Sequence, residues 1–179
     1  MSGKDKLRKF RENLTFECLI QPTTDEVLGK DHPIKGQWHE KVFKNNSPIC
    51  LDLGCGKGEY TIGLAERYPE CNFIGVDIKG ARLWRGAKTA HEDSMPNAAF
   101  LRTQIELIAM CFAPGEVSEI WITFPAPLLK SRRAKKRLTS PLFLADYKQM
   151  LAEDGAINLK TDSKHLYAYT AAVIERLGL

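Results

Sequence analysis

Three glycines stand at alternate positions, Gly54, Gly56 and Gly58, in the segment LDLGCGKG at residues 51–58. Because glycine has no Cβ, this segment can turn tightly and let a ligand lie against the main chain. Asp77 follows nineteen residues after Gly58, and a carboxylate placed there can accept hydrogen bonds from both hydroxyls of a ribose. The combination predicts a site for a ligand that contains a nucleoside. The alternative is that the glycines only permit a tight turn.

The spacing of the glycines indicates which class of nucleotide-binding site the segment forms. A dinucleotide fingerprint beginning at Gly54 needs a glycine where this chain has Glu59, and the phosphate-loop sequence GxxxxGK[ST] is absent. An acid ahead of the loop, Asp52, suits a cationic ligand better than a pyrophosphate. The pattern D-x-G-x-G-x-G with a distal acid resembles the S-adenosylmethionine site of class I methyltransferases.

The chain from Pro48 onward alternates short apolar runs with helical stretches, which predicts successive βα units and an α/β fold with a mainly parallel sheet. Strands are predicted at Ile49–Leu53, Asn72–Val76, Ala98–Leu101, 118–124 and 156–159. Helices are predicted at 60–67, 81–91, 105–112 and 141–153, and a last helix is predicted to be capped by Thr161 or Asp162. We interpret residues 1–47 as a flexible basic arm with a lead-in segment, and residues 48–179 as the domain itself.

The formal net charge of +4 is concentrated in two basic segments. Residues 1–12 and 130–137 together hold eleven bases and two acids, whereas the rest of the chain holds fifteen bases and twenty acids. In open α/β sheets ligands bind beyond the carboxyl ends of the strands, so the chemistry is expected just after Phe124, in the stretch that leads to the second basic segment. This arrangement favours a polyanionic partner such as RNA. The alternative is a solvated helix face beside a mobile tail.

Composition disfavours several other classes of protein. The chain has 179 residues, 44% of them hydrophobic and 27% charged, as expected for one soluble globular domain. It has no apolar run near the roughly 18 residues of a membrane span and no signal-peptide pattern, so a cytoplasmic protein is expected. The five cysteines include no CxxC pair and the four histidines are scattered, which disfavours a disulfide framework and a metal site.

From about Pro48 to Leu166 the sequence resembles the bacterial tRNA (guanine-N7-)-methyltransferase family, which methylates the guanosine at position 46 in the tRNA variable loop. The matching stretches are LDLGCGKGEY, FIGVDIKGARLWRGA, NAAFLRTQIELI, EIWITFPAP, KSRRAKKRL and LKTDSKHLY. The lead-in KGQWHEKVFKNNSP and the combination of LRTQIE with KRLTSPLF are most similar to the Bacteroidetes-type branch. Many methyltransferases share the glycine motif, whereas a strand followed by FPxP and this basic run is specific to the family.

The resemblance implies a Rossmann-like class I methyltransferase fold, S-adenosylmethionine as cofactor, tRNA as partner, and a monomer or homodimer. The implied cofactor-binding positions are Asp52, Gly54, Gly56, Gly58, Asp77, Thr103, Gln104 and Ala126. The implied substrate contacts are Lys130 and Asp162, and the implied tRNA phosphate contacts are Arg132, Arg133, Lys135, Lys136 and Arg137. Asp162 also fits a helix cap, and Lys130 also fits one more phosphate contact.

The sequence departs from the family pattern at the catalytic position. Ala126 stands where the family's FPDP motif has an aspartate, and an alanine side chain can neither accept a hydrogen bond nor carry charge. We expect this residue to impair methyl transfer. The alternative function is a catalytically inactive tRNA-binding protein of the same fold. A small-molecule methyltransferase is disfavoured because such an enzyme has no use for six bases in eight residues.

The second departure concerns the end of the chain at Leu179. A complete class I methyltransferase sheet has seven strands, and the pattern predicts five here. The family's C-terminal strands carry a Thr-x-x-Glu element that recognises guanine. We therefore expect the domain to lack the two C-terminal strands.

Overall fold

The computed structural model describes residues 3–179 and contains a single six-stranded parallel sheet with flanking helices. The strands are β1 (Leu19–Ile20), β2 (Ile49–Leu53), β3 (Asn72–Val76), β4 (Ala98–Leu101), β5 (Val117–Thr123) and β6 (Leu151–Lys160). The α-helices are α1 (Gly3–Asn13), α2 (Thr24–Val27), α3 (Glu59–Arg67), α4 (Gly80–Glu92), α5 (Pro141–Met150) and α6 (Lys164–Leu177). Two 3-10 helices span Ile105–Met110 and Ser131–Lys136, and a π-helical segment spans Trp38–Phe43. None of the helices in residues 3–179 is both long and apolar enough to cross a membrane.

The strands follow the spatial order β1-β4-β3-β2-β5-β6, and every neighbouring pair is parallel. The central strands β2, β3 and β4 are buried along their whole length, as expected for parallel strands that are covered on both faces. Continuous burial explains why their sequences are unbroken apolar runs rather than alternating ones. The parallel arrangement brings the carboxyl ends of all six strands to one edge of the sheet.

The predicted α/β class and its central strands are confirmed, and the bounds of β2, β3 and β4 are the predicted ones. The predicted helix 105–112 is a 3-10 helix that ends at Met110. Helix α5 begins at Pro141 as predicted but ends at Met150, because Leu151 already pairs with Val117 and begins strand β6. The predicted cap of the last helix was wrong: Ser163 is the N-cap, and its hydroxyl accepts a hydrogen bond from the Leu166 amide at 3.2 Å.

The sheet has one strand more than the five predicted, because Leu19 and Ile20 pair with β4 and form an edge strand, β1. Two residues are too few to show a strand periodicity, so only the pairing partner defines this strand. The π-helical segment that follows inserts Trp38 and Phe43 into the main core, where the Trp38 ring stacks on Phe112 at a centroid distance of 5.2 Å.

The basic N-terminal segment forms helix α1, which packs on α4, rather than the flexible arm that was predicted. Trp84 of α4 holds it in place: its indole nitrogen donates a hydrogen bond to the Glu12 carboxylate, and the cations of Arg8 and Lys9 lie 4.9 and 4.6 Å from its ring. The end of α1 is fixed by Asn13, whose side-chain amide donates to the carbonyl oxygen of Gly80 at 2.9 Å. Cation–π contacts and a charged acceptor thus attach a strongly charged helix to the domain.

Candidate functional site

The predicted site residues gather at the carboxyl edge of the sheet. Thr103 and Gln104 follow β4, Asp77 follows β3, and the glycine loop follows β2. Ala126 and Lys130 lie in the segment after β5, and Asp162 lies after β6. Five different strands therefore deliver these residues to one edge, as the topology requires.

The glycine loop has a left-handed backbone at Gly54, Gly56 and Gly58, with φ values of 76°, 61° and 77°. The amides of Gly54 and Cys55 both donate to the carbonyl oxygen of Val76, at 2.8 and 3.1 Å, which ties the loop to the end of β3. Gly58 is packed tightly, because an added Cβ would lie 2.5 Å from Cε1 of Phe100. At Gly56 an added Cβ would meet no atom within 4 Å, so this part of the loop faces open space.

The Asp77 carboxylate is anchored to the main chain on both sides. Its Oδ2 accepts a hydrogen bond from the Gly56 amide at 3.1 Å, and its Oδ1 accepts one from the Lys79 amide at 2.8 Å. An ionised carboxylate offers about four acceptor positions, so two backbone bonds leave acceptors for the hydroxyls of a ribose. The loop and the acid therefore form one preorganised unit.

An open cleft of about 240 Å³ lies beside this unit. Its lining residues are Gly54, Asp77, Ile78, Thr103, Gln104, Ile105, Glu106, Lys136, Leu138 and Phe143. Apolar side chains with a few polar groups are typical of small-molecule sites, and here the polar group best placed for a sugar is Asp77. The cradle of Cβ-free backbone, the anchored acid and the apolar wall fit the nucleoside of S-adenosylmethionine.

Asp52 lies inside the protein, between helix α3 and strand β5. Its Oδ2 accepts a hydrogen bond from the Thr61 hydroxyl at 2.8 Å, and its Oδ1 accepts one from the Thr123 hydroxyl at 3.1 Å. Burial raises the pKa of this carboxyl above its usual value, and the two threonine hydrogen bonds oppose that rise only in part. The side chain thus joins three elements beside the glycine loop, which gives it a positioning role. The direct contact of Asp52 with the cofactor stays a prediction.

The basic segment after β5 forms the 3-10 helix Ser131–Lys136 at the rim of the cleft. Four of its predicted phosphate-binding cations are exposed, namely Arg132, Arg133, Lys135 and Lys136. Lys136 also lines the cleft that contains Asp77. A cationic surface thus begins at the wall of this cleft, where a phosphate backbone could bind by charge.

Arg137 differs from the neighbouring cations because its side chain is only 4% exposed. Its guanidinium donates to the carbonyl oxygens of Pro127 and Leu128, at 3.2 and 3.0 Å, and to Nε2 of His165 at 2.9 Å. It also lies 4.2 Å from the centre of the Tyr169 ring. The structure therefore departs from the predicted phosphate contact: Arg137 fastens the segment after β5 to helix α6.

Ala126, Lys130 and Asp162 are exposed at the same edge of the sheet, outside the lining of the cleft. Ala126 lies between two prolines in the segment that Arg137 fastens. Asp162 immediately precedes the Ser163 cap of helix α6. The structure brings these residues near the site without giving them contacts to the cleft.

The sequence pattern did not reveal a group of three residues at this edge of the sheet, Tyr60, Phe124 and Lys160. Phe124 is 52% exposed, and its ring meets the Tyr60 ring edge-on, with centroids 6.4 Å apart. The ammonium group of Lys160 lies 5.2 Å from the Tyr60 centroid and 5.6 Å from the Phe124 centroid. The one signal in the sequence was Phe124, an aromatic residue directly after a strand that ends at the site. Tyr60 and Lys160 come from α3 and β6, so no local pattern links them to Phe124.

Comparison with solved structures shows the class of the fold. An aminoglycoside resistance methyltransferase superposes with a TM-score of 0.56 at 20% identity over 78% of this chain and 67% of its own. A 16S rRNA (adenine(1408)-N(1))-methyltransferase from Catenulisporales acidiphilia, solved with its cosubstrate S-adenosylmethionine, gives 0.56 at 17% identity over 79% and 63%. The fold is that of class I methyltransferases.

Sequence comparison then identifies the family. A family model described as a putative methyltransferase matches residues 46–178. The tRNA (guanine-N(7)-)-methyltransferases of Christiangramia forsetii and Bacteroides fragilis are 55% and 49% identical over 99% of this chain and over 80% and 69% of their own lengths. That of Porphyromonas gingivalis is 56% identical over 82% of this chain and 59% of its own. The chain belongs to the tRNA (guanine-N(7)-)-methyltransferase family, which confirms the predicted resemblance.

Proposed function

We propose that this protein transfers a methyl group from S-adenosylmethionine to N7 of guanosine 46 in the tRNA variable loop. The observation that carries the proposal is that Asp77 and Lys136 line the same cleft. This cleft joins the nucleoside site to the basic helix Ser131–Lys136. The methyltransferase fold and the named relatives support the same chemistry. When bound, S-adenosylmethionine supplies an electrophilic methyl group on a positively charged sulfur.

The protein's own residues have two tasks in this proposal. Asp77 binds the ribose, the loop containing Gly54 and Gly56 holds the rest of the cofactor against the main chain, and Thr103 with Gln104 borders the nucleoside. Arg132, Arg133, Lys135 and Lys136 bind tRNA phosphates, and Lys130 and Asp162 contact the substrate. Guanine N7 already has a free lone pair, so the reaction needs alignment of the two reactants rather than an obligatory general base.

Ala126 limits this activity in our proposal. Its methyl side chain offers no acceptor at the position where the family's aspartate is expected to orient the cofactor and the base. A binding role without turnover is the second candidate function, and the exposed Ala126 is the observation that favours it.

The test measures methyl transfer from labelled S-adenosylmethionine to a tRNA transcript, for this protein and for Ala126→Asp in parallel. A transcript with adenosine at position 46 is the matched substrate control. Transfer that requires guanosine 46 and rises in Ala126→Asp supports the proposed enzyme. Cofactor and tRNA binding by both proteins without transfer by either favours the binding role, and failure to bind the cofactor contradicts both functions.

A further inference from the structure

An aromatic pair, the half-buried Tyr60 and the exposed Phe124, lies at the carboxyl edge of the sheet and already contacts a cation of the protein itself. The Lys160 ammonium group donates a hydrogen bond to the Tyr60 hydroxyl and lies 5.6 Å from the centroid of the Phe124 ring. Ring faces attract cations because their quadrupole is negative there. The pair therefore has the electrostatic character of a cation-binding surface.

The backbone holds the Phe124 ring outward in an unusual conformation. Phe124 has a φ of 46°, in the left-handed region that an aromatic residue seldom adopts. Its amide donates to the carbonyl oxygen of Lys160 at 2.8 Å, which continues the β5–β6 pairing by one residue. Strained conformations of this kind are kept where the fold needs a side chain in a particular place. Here the result is a large apolar ring directed to solvent.

The pair lies on the side of the glycine loop opposite the nucleoside cleft. Across the sheet, β2 is flanked by β3, which carries Asp77, and by β5, which carries Phe124. Tyr60 lies in the first turn of α3, directly after the glycine loop. A cofactor whose nucleoside lies on the Asp77 side leaves the Phe124 side open for the methyl acceptor.

Resting on the proposed function, we propose that Tyr60 and Phe124 contact the target guanine and stabilise the positive charge that methylation creates on it. The N7 lone pair forms the new N–C bond, and the electron pair of the breaking S–C bond stays on sulfur. Positive charge thereby passes from the sulfonium to the guanine ring, and no proton moves. The ring contact strengthens as that charge develops, so it lowers the barrier rather than only binding the substrate.

Lys160 serves as the resident cation of the pair before the base arrives. Its side chain is exposed, so the ammonium group can move into solvent while the Lys160 carbonyl oxygen keeps its hydrogen bond to the Phe124 amide. When the charged guanine replaces the Lys160 ammonium group beside the two rings, no further buried surface has to be exposed. The charged product, 7-methylguanine, is therefore expected to bind more tightly here than neutral guanine.

The test compares 7-methylguanosine 5′-monophosphate with guanosine 5′-monophosphate as ligands of the protein saturated with S-adenosylhomocysteine. We expect the methylated nucleotide to bind about 5-fold more tightly, which is the size of one exposed cation–π contact. Phe124→Leu and Tyr60→Leu should abolish this preference. Tyr60→Phe, which keeps the ring, and Tyr68→Leu, which removes an exposed tyrosine at the far end of α3, should retain it.

The inference is overturned by any of three results: equal affinity for the two nucleotides, an unchanged preference in the leucine variants, or no binding of either nucleotide. Melting curves of the variants establish that they fold. Methyl transfer to tRNA is measured separately, so a protein that methylates guanosine 46 without nucleotide preference contradicts this inference alone. Absence of cofactor binding contradicts the proposed function instead.

Discussion

The guanidinium of Arg137 donates a hydrogen bond at 3.0 Å to the carbonyl oxygen of Leu128, a residue held at a left-handed φ of 44°. The same guanidinium bonds to Pro127 and His165. One buried cation thus sets the path of the segment that contains Ala126. Its neighbours in the basic run are exposed, so residues of one chemical type have two different roles within a few positions.

Arg137→Met should destabilise the protein, whereas Lys135→Met should not. Loss of charge-assisted hydrogen bonds to backbone carbonyls predicts a fall of about 2–4 kcal/mol in the free energy of unfolding for Arg137→Met. Lys135→Met should leave that free energy within about 0.5 kcal/mol and reduce the slope of log tRNA affinity against log salt by about 1. Urea denaturation and tRNA binding at several salt concentrations measure both quantities. A reduced salt slope without a loss of stability in Arg137→Met would show that this residue contacts phosphate after all.

Asp77→Asn should weaken binding of S-adenosylhomocysteine by about 10- to 100-fold, because hydrogen bonds to a charged acceptor contribute about 1.5–3 kcal/mol. Asn also replaces one of the two acceptors that bind the Gly56 and Lys79 amides with a donor. Isothermal titration calorimetry measures the affinity. Asp93→Asn, an exposed acid at the end of α4, is the matched control and should bind as the unaltered protein does. Equal affinities for the two variants would exclude the assigned ribose contact.

Asp52→Asn should make the protein more stable at neutral pH. Burial raises the pKa of Asp52 above the ordinary 3.8, so the native state keeps its proton at pH values where the unfolded chain has lost it. The free energy of unfolding therefore falls as the pH rises from 3.8 to the native pKa, and this loss persists at higher pH. Asparagine avoids the loss and can still bond to Thr61 and Thr123. Urea midpoints should show a gain at neutral pH that disappears in acid, and a variant that is less stable at every pH would contradict the burial argument.

Asp52→Asn also tests the predicted role of this residue toward the cofactor. If its charge acts on the sulfonium, the variant should lose affinity for S-adenosylmethionine and keep its affinity for the uncharged sulfur of S-adenosylhomocysteine. Equal changes for the two ligands would leave Asp52 with the positioning role alone. Calorimetry with both ligands on one protein preparation makes the comparison.

Gly58→Ala should mainly lower the stability of the protein, whereas Gly56→Ala should mainly weaken cofactor binding. At Gly58 the new Cβ would lie 2.5 Å from a Phe100 ring atom, so we expect a loss of about 2–4 kcal/mol in stability. At Gly56 the backbone strain alone predicts about 1 kcal/mol, while the added methyl group would occupy the open side of the loop and weaken cofactor binding. Thermal melting and S-adenosylhomocysteine titration measure the two effects. Normal cofactor binding by a folded Gly56→Ala protein would contradict the proposed approach of the ligand to the loop.

The sequence alone determined the parts of this protein that depend on local pattern. The bounds of β2, β3 and β4 could be predicted because strands buried on both faces have continuous apolar sequences. Asp77 could be paired with the glycine loop because parallel strands end at a common edge, and that edge is where the cleft lies. The basic run could be placed beside the cleft for the same reason.

Only the tertiary structure decided how residues distant in the chain meet. It buries Arg137 and exposes Lys135 although both are cations of one segment, because the carbonyls of Pro127 and Leu128 and helix α6 surround only Arg137. It also pairs β1 with β4 and brings Tyr60, Phe124 and Lys160 together from three elements. Local periodicity records which side of an element is apolar, but it carries no information about which distant side chain packs there.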